Sequence, residues 1–389
     1  MNETDITISN LADAGAVAPR NFHDAPNRVR EIASVPLDLP TSAQSALTSL
    51  SSAGFYDEDM LEDAVIGLSI GHLILAGPPG TGKTHLASAL AKSFNAKLVT
   101  ETANPEWSVY DIIGTQTLKK GGEIAPRHGL VTSAVLDCAT AIVDNLDSGT
   151  GEQAVWLLID EMNRADIDRA FGPLFTALVG NGGGMTLDYM DERPSLVLPA
   201  RFRIIATVNE YDTRFVNSMS AALRRRFSKV TVLPPPNDGD GRSSMGEFEI
   251  TVSEAVKRAT AILGSPPESE VVSALTSRNE RIRDIFGFFR HSSEGGVPIG
   301  TAQLIDVALY FLILMSKSKN GSEDESSSLA DPAFWITYDR AIVARLMPSL
   351  ETDSTRARVR DGFAEDLKST FSELPLTSNR LNAFLHGND

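Results

Sequence analysis

Eight consecutive residues, Gly77-Pro78-Pro79-Gly80-Thr81-Gly82-Lys83-Thr84, carry the spacing G-x-x-x-x-G-K-[ST]. In such a P-loop the glycines let backbone N–H groups turn inward around phosphate oxygens. The lysine reaches the β- and γ-phosphates, and the final hydroxyl ligates Mg2+. The candidate nucleotide-binding residues are therefore Gly77, Pro78, Pro79, Gly80, Thr81, Gly82, Lys83, Thr84 and the adjoining His85. A second chemical set follows the apolar run Val155-Trp156-Leu157-Leu158-Ile159, which ends in Asp160 and Glu161. Two acids after a strand can simply cap a helix. Behind a P-loop they take another meaning: Asp160 joins Thr84 in holding Mg2+, directly or through water, and Glu161 orients and polarises an attacking water.

Two further groups could complete a phosphoryl-transfer site. Arg203-Ile204-Ile205-Ala206-Thr207-Val208 reads as a strand with Asn209 at its tip. The Asn209 amide can bond the γ-phosphate or the lytic water, or it can merely end the strand. Ala221-Ala222-Leu223-Arg224-Arg225-Arg226-Phe227 places three arginines after a short apolar helix. They could be a solvated basic helix end. They could also stabilise charge on a phosphoryl group held by a neighbouring subunit, with Arg226 the first candidate and Arg225 the second.

These residues need elements to hold them. Strands are expected at 72–76, 97–101, 154–159, 203–208 and 229–233, alternating with helices, which implies a parallel sheet covered on both faces. Each strand then ends in a loop where nucleotide chemistry sits. Residues 1–40, broken by Pro19, Pro26, Pro36 and Pro40, read as an extended arm that could strap onto another subunit. Residues 41–70 carry two helical patterns, the second capped by Asp57. The α/β nucleotide-binding domain is expected over 41–236 and ends at Pro234-Pro235-Pro236. Helical periodicity at 245–263, 267–290, 300–316 and 333–347 makes 237–389 an all-α lid with a helical extension. Residues 317–328 read as a polar loop.

The chain has 389 residues, a net charge of −16 and a pI of about 4.9, and ten of its 35 basic residues are lysine. A broad nucleic-acid-binding surface is disfavoured by that balance, although a small basic patch in a pore is not. Cys138 is the single cysteine, so there is no internal disulfide, and no Cys/His spacing suggests a metal. No apolar run reaches membrane-spanning length, and the acidic N-terminus is unlike a signal peptide. The expected location is the cytoplasm, with no membrane partner.

Together the P-loop, Asp160-Glu161-Met162-Asn163-Arg164, Thr207-Val208-Asn209 and Leu223-Arg224-Arg225-Arg226-Phe227 resemble an AAA+ ATPase over roughly residues 55–316. The D-E-x-N-R run is similar to the clade of MoxR proteins, the McrB restriction motor, dynein and midasin. The resemblance implies a P-loop NTPase (AAA+) fold of parallel sheet and flanking helices followed by the lid. It also implies ATP and Mg2+ as cofactors and a homo-oligomeric, hexameric ring. Two insertions belong to the clade. Thr115 to Ile124 is a candidate for one, and a hairpin from Gly182 to Pro199 for the other. Lys119, Lys120, Tyr189 and Met190 would then face the pore and touch the substrate. The chain departs from the family in one place: Val297-Pro298-Ile299-Gly300-Thr301-Ala302-Gln303 lacks the arginine that often starts a lid helix.

Three functions fit these residues. One is an ATPase that remodels or loads a protein partner. Another is an NTP-driven, McrB-like motor or regulator in a DNA restriction or defence complex, touching nucleic acid through its pore loops. The third is a nucleotide-dependent scaffold with little turnover. ATP is preferred to GTP because no base-reading motif is present.

Overall fold

The computed structural model describes residues 22–39, 56–179, 184–210, 220–290, 296–297, 299–319, 331–359 and 362–386. The first helical pattern of 41–70, the start of the N-terminal arm and most of the polar loop expected at 317–328 lie outside the described residues.

Helix α1 (Glu58–Ile70) begins where Asp57 accepts the Met60 N–H at 3.2 Å, satisfying one of the free donors of its first turn. Strand β1 (His72–Gly77) follows, then α2 (Lys83–Ser93), β2 (Ala96–Thr102) and the short α3 (Val109–Ile112). An antiparallel hairpin, β3 (Gly114–Leu118) with β4 (Ile124–His128), leads into α4 (Leu130–Ser148) and β5 (Ala154–Asp160). After α5 (Ile167–Phe171) comes a second small hairpin, β6 (Gly184–Thr186) with β7 (Ser195–Val197). Strand β8 (Ile204–Asn209), α6 (Ala221–Arg224) and β9 (Phe227–Thr231) complete this part.

Five strands form one parallel sheet in the order β2-β5-β8-β1-β9. β1 is buried at all six positions, and β5 at all but its last, Asp160. An unbroken apolar strand is what a sheet covered on both faces demands. Registers Gly77↔Asn209 and Thr102↔Asp160 bring the functional strand ends to one edge. The expected strand positions hold to within a residue or two, the largest difference being β9, which begins at Phe227.

The opposite edge is tied by buried arginines. Arg203 donates Nε to the Leu68 carbonyl at 2.5 Å and Nη2 to that of Ser69 at 3.2 Å, closing the C-terminal turn of α1. Its Nη1 reaches the Ala200 and Phe202 carbonyls. Beside it His72 is buried, and its Nδ1 accepts the Ile204 N–H at 3.0 Å. Burial, reinforced by the Arg203 charge, pushes the imidazole down to about 3, so it is neutral.

The arm expected at the N-terminus is, over 22–39, a packed part of the sheet domain. Phe22, Val29, Ile32 and Val35 are buried in its core. Arg201 donates to the Pro36 carbonyl and pairs with Asp38 at 3.0 Å, and the Ala33 carbonyl accepts the Ala200 N–H. Prolines stop regular structure here, yet four apolar side chains still find the core.

The rest of the described chain is helical: α7 (Met245–Leu263), α8 (Ser269–Thr276), α9 (Asn279–Arg290), α10 (Thr301–Lys319), α11 (Asp331–Arg345), α12 (Met347–Leu350), α13 (Asp353–Arg358), α14 (Phe363–Thr370) and α15 (Pro375–His386). They enclose a second core built on Phe286, Phe289, Phe311, Phe334 and Tyr338. The single helix expected over 267–290 is two. At the break, the Ser277 hydroxyl takes the Ala274 carbonyl and the Asn279 amide takes that of Thr276, so side chains compete with the helical ladder. Asp339, buried on α11, accepts the Leu376 and Thr377 N–H groups and thereby caps α15.

Candidate functional site

The P-loop bridges β1 and α2. Gly80 and Gly82 have φ of 76° and 81°, conformations that other residues rarely adopt. They turn the loop so that α2 presents its N-terminus to the space above the strand. Thr81 steadies the turn through a 3.0 Å bond from its hydroxyl to the Pro78 carbonyl. The Lys83 ammonium donates to the Gly77 carbonyl at 3.0 Å and the Pro78 carbonyl at 2.6 Å. Burial pulls its pKa down to about 8, against the opposing charges of Asp160, Glu161 and Glu210. Thr84 and His85 are exposed on the first turn of α2. From the other side the Tyr56 hydroxyl donates to the Gly82 carbonyl at 3.0 Å.

Strand β8 runs between β1 and β5, so Asn209 stands between the P-loop and the acidic pair. Asp160 Oδ1 accepts from the Thr84 hydroxyl at 2.9 Å and the Thr207 hydroxyl at 2.6 Å. Thr207 also accepts the Glu161 N–H at 2.9 Å and so fixes both acids. Glu161 sits at φ 53°, and its carboxylate pairs with Arg164 at 2.7 Å, both side chains being partly exposed. Asn163 holds the Asn209 backbone on both sides, accepting its N–H and donating to its carbonyl at 3.3 and 3.4 Å. The roles of Asn163, Arg164, Thr207 and Tyr56 go beyond the sequence reading. D-E-x-N-R is the one signal that marks two of them.

The donor set fits Mg2+ and a triphosphate. A hydroxyl and a carboxylate oxygen, Thr84 Oγ1 and Asp160 Oδ1, lie together beside a helix N-terminus, and no cluster of three metal-ligating side chains exists among the described residues. Mg2+ takes one or two protein oxygens and fills its shell from phosphates and water. Lys83 already holds two carbonyl oxygens that a phosphate can replace.

The arginines lie elsewhere. Phe227 pairs with His72, so Arg225 and Arg226 stand at the amino ends of the strands, roughly 16 Å of strand length from Gly77. Neither shares an edge with its own P-loop. Arg226 donates Nε to the Phe175 carbonyl at 2.8 Å, bonds the Ala222 carbonyl and lies over the Phe175 ring, while Arg225 is exposed. Both line an open groove of about 1280 Å3 at this edge, with Ile70, Leu178 and Leu198.

The two insertion hairpins present their candidate residues differently. Lys119 and Lys120 are exposed at the tip of β3–β4, beside the exposed cross-strand pair Leu118 and Ile124. Tyr189 is instead packed inward. Its hydroxyl donates to His128 Nδ1 at 2.7 Å, because His128 Nε2 must carry the proton given to the His23 carbonyl at 3.0 Å. Met190 packs on the same core. No helix among the described residues is long and apolar enough to cross a membrane.

The strand order and loop placement are those of the P-loop AAA+ fold, with a helical C-terminal region. Residues 72–227 match the family model described as "AAA domain (dynein-related subfamily)", which is less than half of the chain. The uncharacterized protein YifB of Salmonella typhimurium is 28% identical over 242 residues, covering 55% of this chain and 46% of that protein. The uncharacterized protein YojN of Bacillus subtilis is 27% identical over 182 residues, covering 45% and 52%. The chain thus spans about half the length of these relatives. Among solved structures, the Holliday junction branch migration motor RuvB of Thermotoga maritima aligns at 15% identity and a TM-score of 0.38, over 82% of this chain and 77% of that one.

Proposed function

We propose that this protein is an ATPase whose site is completed by a neighbouring copy, in a ring, and whose turnover remodels or loads a protein partner. One observation carries the reading. Lys83, Thr84, Asp160, Glu161 and Asn209 gather at the carboxyl edge of the sheet, while the exposed Arg225 stands at the amino edge. A cation at that distance serves phosphoryl transfer only in the site of another copy.

Lys83 exchanges its two loop carbonyls for β- and γ-phosphate oxygens. Thr84 and Asp160 would hold Mg2+, which would supply positive charge beside the phosphates. Glu161 leaves Arg164 and takes a water as general base, and Asn209, steadied by Asn163, orients that water toward the γ-phosphorus. Arg225 of the adjacent copy stabilises the charge developing on the transferred group, with Arg226 anchoring the turn behind it. The D-E-x-N-R run and the two hairpins support placement in the MoxR/McrB-like clade.

The test is ATP turnover per protomer against protein concentration, with mass measured alongside. A steep rise that tracks oligomer formation supports completion in trans; turnover by a monomer would overturn it. A second reading, a McrB-like motor acting on nucleic acid, draws on Lys119, Lys120 and Arg127, all exposed on the β3–β4 hairpin. Stimulation of turnover by DNA, lost on neutralising both lysines, would favour it.

A further inference from the structure

We propose that Gln303 is the positioning residue through which the helical lid responds to nucleotide, acting on the P-loop backbone and not on the phosphate. The inference rests on the reading of Gly77–Thr84 as a nucleotide site. Helix α10 begins against that loop. Gln303 Nε2 donates to the Pro79 carbonyl at 3.2 Å, and its Oε1 accepts the Gly300 N–H at 2.9 Å. The Ala302 N–H donates to the Gly80 carbonyl at 3.0 Å. The backbones are so close that a Cβ on Gly300 would lie 2.2 Å from the Gly80 carbonyl carbon.

Four consecutive loop carbonyls are therefore divided between two holders. Lys83 has those of Gly77 and Pro78, the latter shared with the Thr81 hydroxyl, and the lid has those of Pro79 and Gly80. A phosphate that draws Lys83 away frees the carbonyl of Gly77 and leaves that of Pro78 to the Thr81 hydroxyl alone. Pro78 and Pro79 lock φ at the two joints that follow, so the turn is passed on toward the carbonyls held by the lid. The lid feels that turn at Gln303 and Ala302.

The seat transmits the motion because it is stiff. Arg290 is buried and forms a two-pronged pair with the buried Glu247, at 2.5 and 2.7 Å. Its Nε holds the Ile299 carbonyl at 2.8 Å, and the Thr301 hydroxyl donates to Glu247 at 2.6 Å. Helices α7, α9 and α10 are thereby joined on either side of Gly300. Arg290 is fully committed there, and no arginine occurs from 296 to 303. The contact is made by an uncharged amide.

The test uses the full chain with cysteines placed at the exposed Ile66 and Ile262, one on each side of the seat, for distance measurement by paired spin labels. Cys138 is buried and stays unlabelled. Wild type is expected to change its distance distribution on adding a non-hydrolysable ATP analogue. Gln303→Met should abolish that change and weaken analogue binding about threefold to tenfold, the worth of one or two hydrogen bonds. Gln303→Glu keeps the acceptor for Gly300 but has no N–H for Pro79, and should also lose the change. Gly300→Ala, which wedges the lid from the loop, should do the same with Gln303 intact.

A Gln303→Met variant that keeps the wild-type distance change overturns the proposal, even if it melts earlier. If that occurs while Lys83→Ala loses analogue binding, the nucleotide reading stands and only the role of Gln303 falls. If wild type binds no analogue, both fall.

Discussion

The two edges of the five-stranded sheet hold their cations in opposite ways. At the carboxyl edge Lys83 rests on two carbonyls with a flexible stem and a point charge, and Arg164 pairs with Glu161 in a half-exposed bond. At the amino edge Arg203 spreads a rigid fork over the carbonyls of Leu68, Ser69, Ala200 and Phe202, and Arg201 reaches Pro36, Asp38, Asn145 and Gln153. A planar fork with several fixed acceptors is locked, whereas an ammonium changes partners easily. The comparison teaches that position and freedom, not charge, separate a working cation from a structural one.

Arg225 and Arg226 test that lesson most severely, being neighbours at the structural edge. Arg225→Ala is expected to lower turnover by about 10³-fold with binding retained. Mixing it with Glu161→Gln should restore part of the activity, since each supplies what the other lacks. If Arg226→Ala is the variant so rescued, then an anchored arginine is the working one and the comparison breaks. At the other edge, Glu161→Gln should cut turnover about 10²-fold or more while leaving ATP affinity unchanged. Turnover at the wild-type rate would remove Glu161 from the mechanism.

Arg203→Met should destabilise the fold by about 3 kcal/mol, read from a urea midpoint, because it leaves several buried carbonyls without donors. ATP affinity of the folded fraction should not change. The smallest effect is on pH. Lys83 without nucleotide has a pKa of about 8, and bound phosphates raise it, so binding takes up a proton above that pH. Affinity measured by calorimetry should be flat below about pH 8 and fall as pH rises through it. A flat profile to pH 9.5 would mean that Lys83 is not the group that meets the phosphate.

Much of the carboxyl edge was legible because its signals are local. The P-loop glycines, the apolar run before Asp160 and the strand before Asn209 each lie within a few residues of the group they place. The amino edge was not, because its geometry depends on distant carbonyls. Arg226 is held by Phe175, 51 residues away, and Arg225 is left exposed. No spacing rule separates two adjacent arginines. The packing of Tyr189 was hidden for the same reason, since its partner His128 is 61 residues away. The prolines of 22–39 signalled an irregular path correctly, but they say nothing of whether that path is buried. Gln303 was visible only as a missing arginine, and its contact with Pro79 spans 224 residues.

The back-to-back glycines of the lid seat limit how this protein can drift in sequence. A side chain on Gly80 would stand 2.0 Å from Gln303 Oε1, and one on Gly300 would strike the loop backbone. The two positions constrain each other across domains, although they share no side-chain contact. A descendant that gained a methyl at either could keep its fold, with both cores untouched, yet it would have lost the register between lid and loop. The way back would be reversion, or a lid helix that starts later. Substitution should therefore accumulate on the hairpin tips and the outer helices long before it reaches this seam.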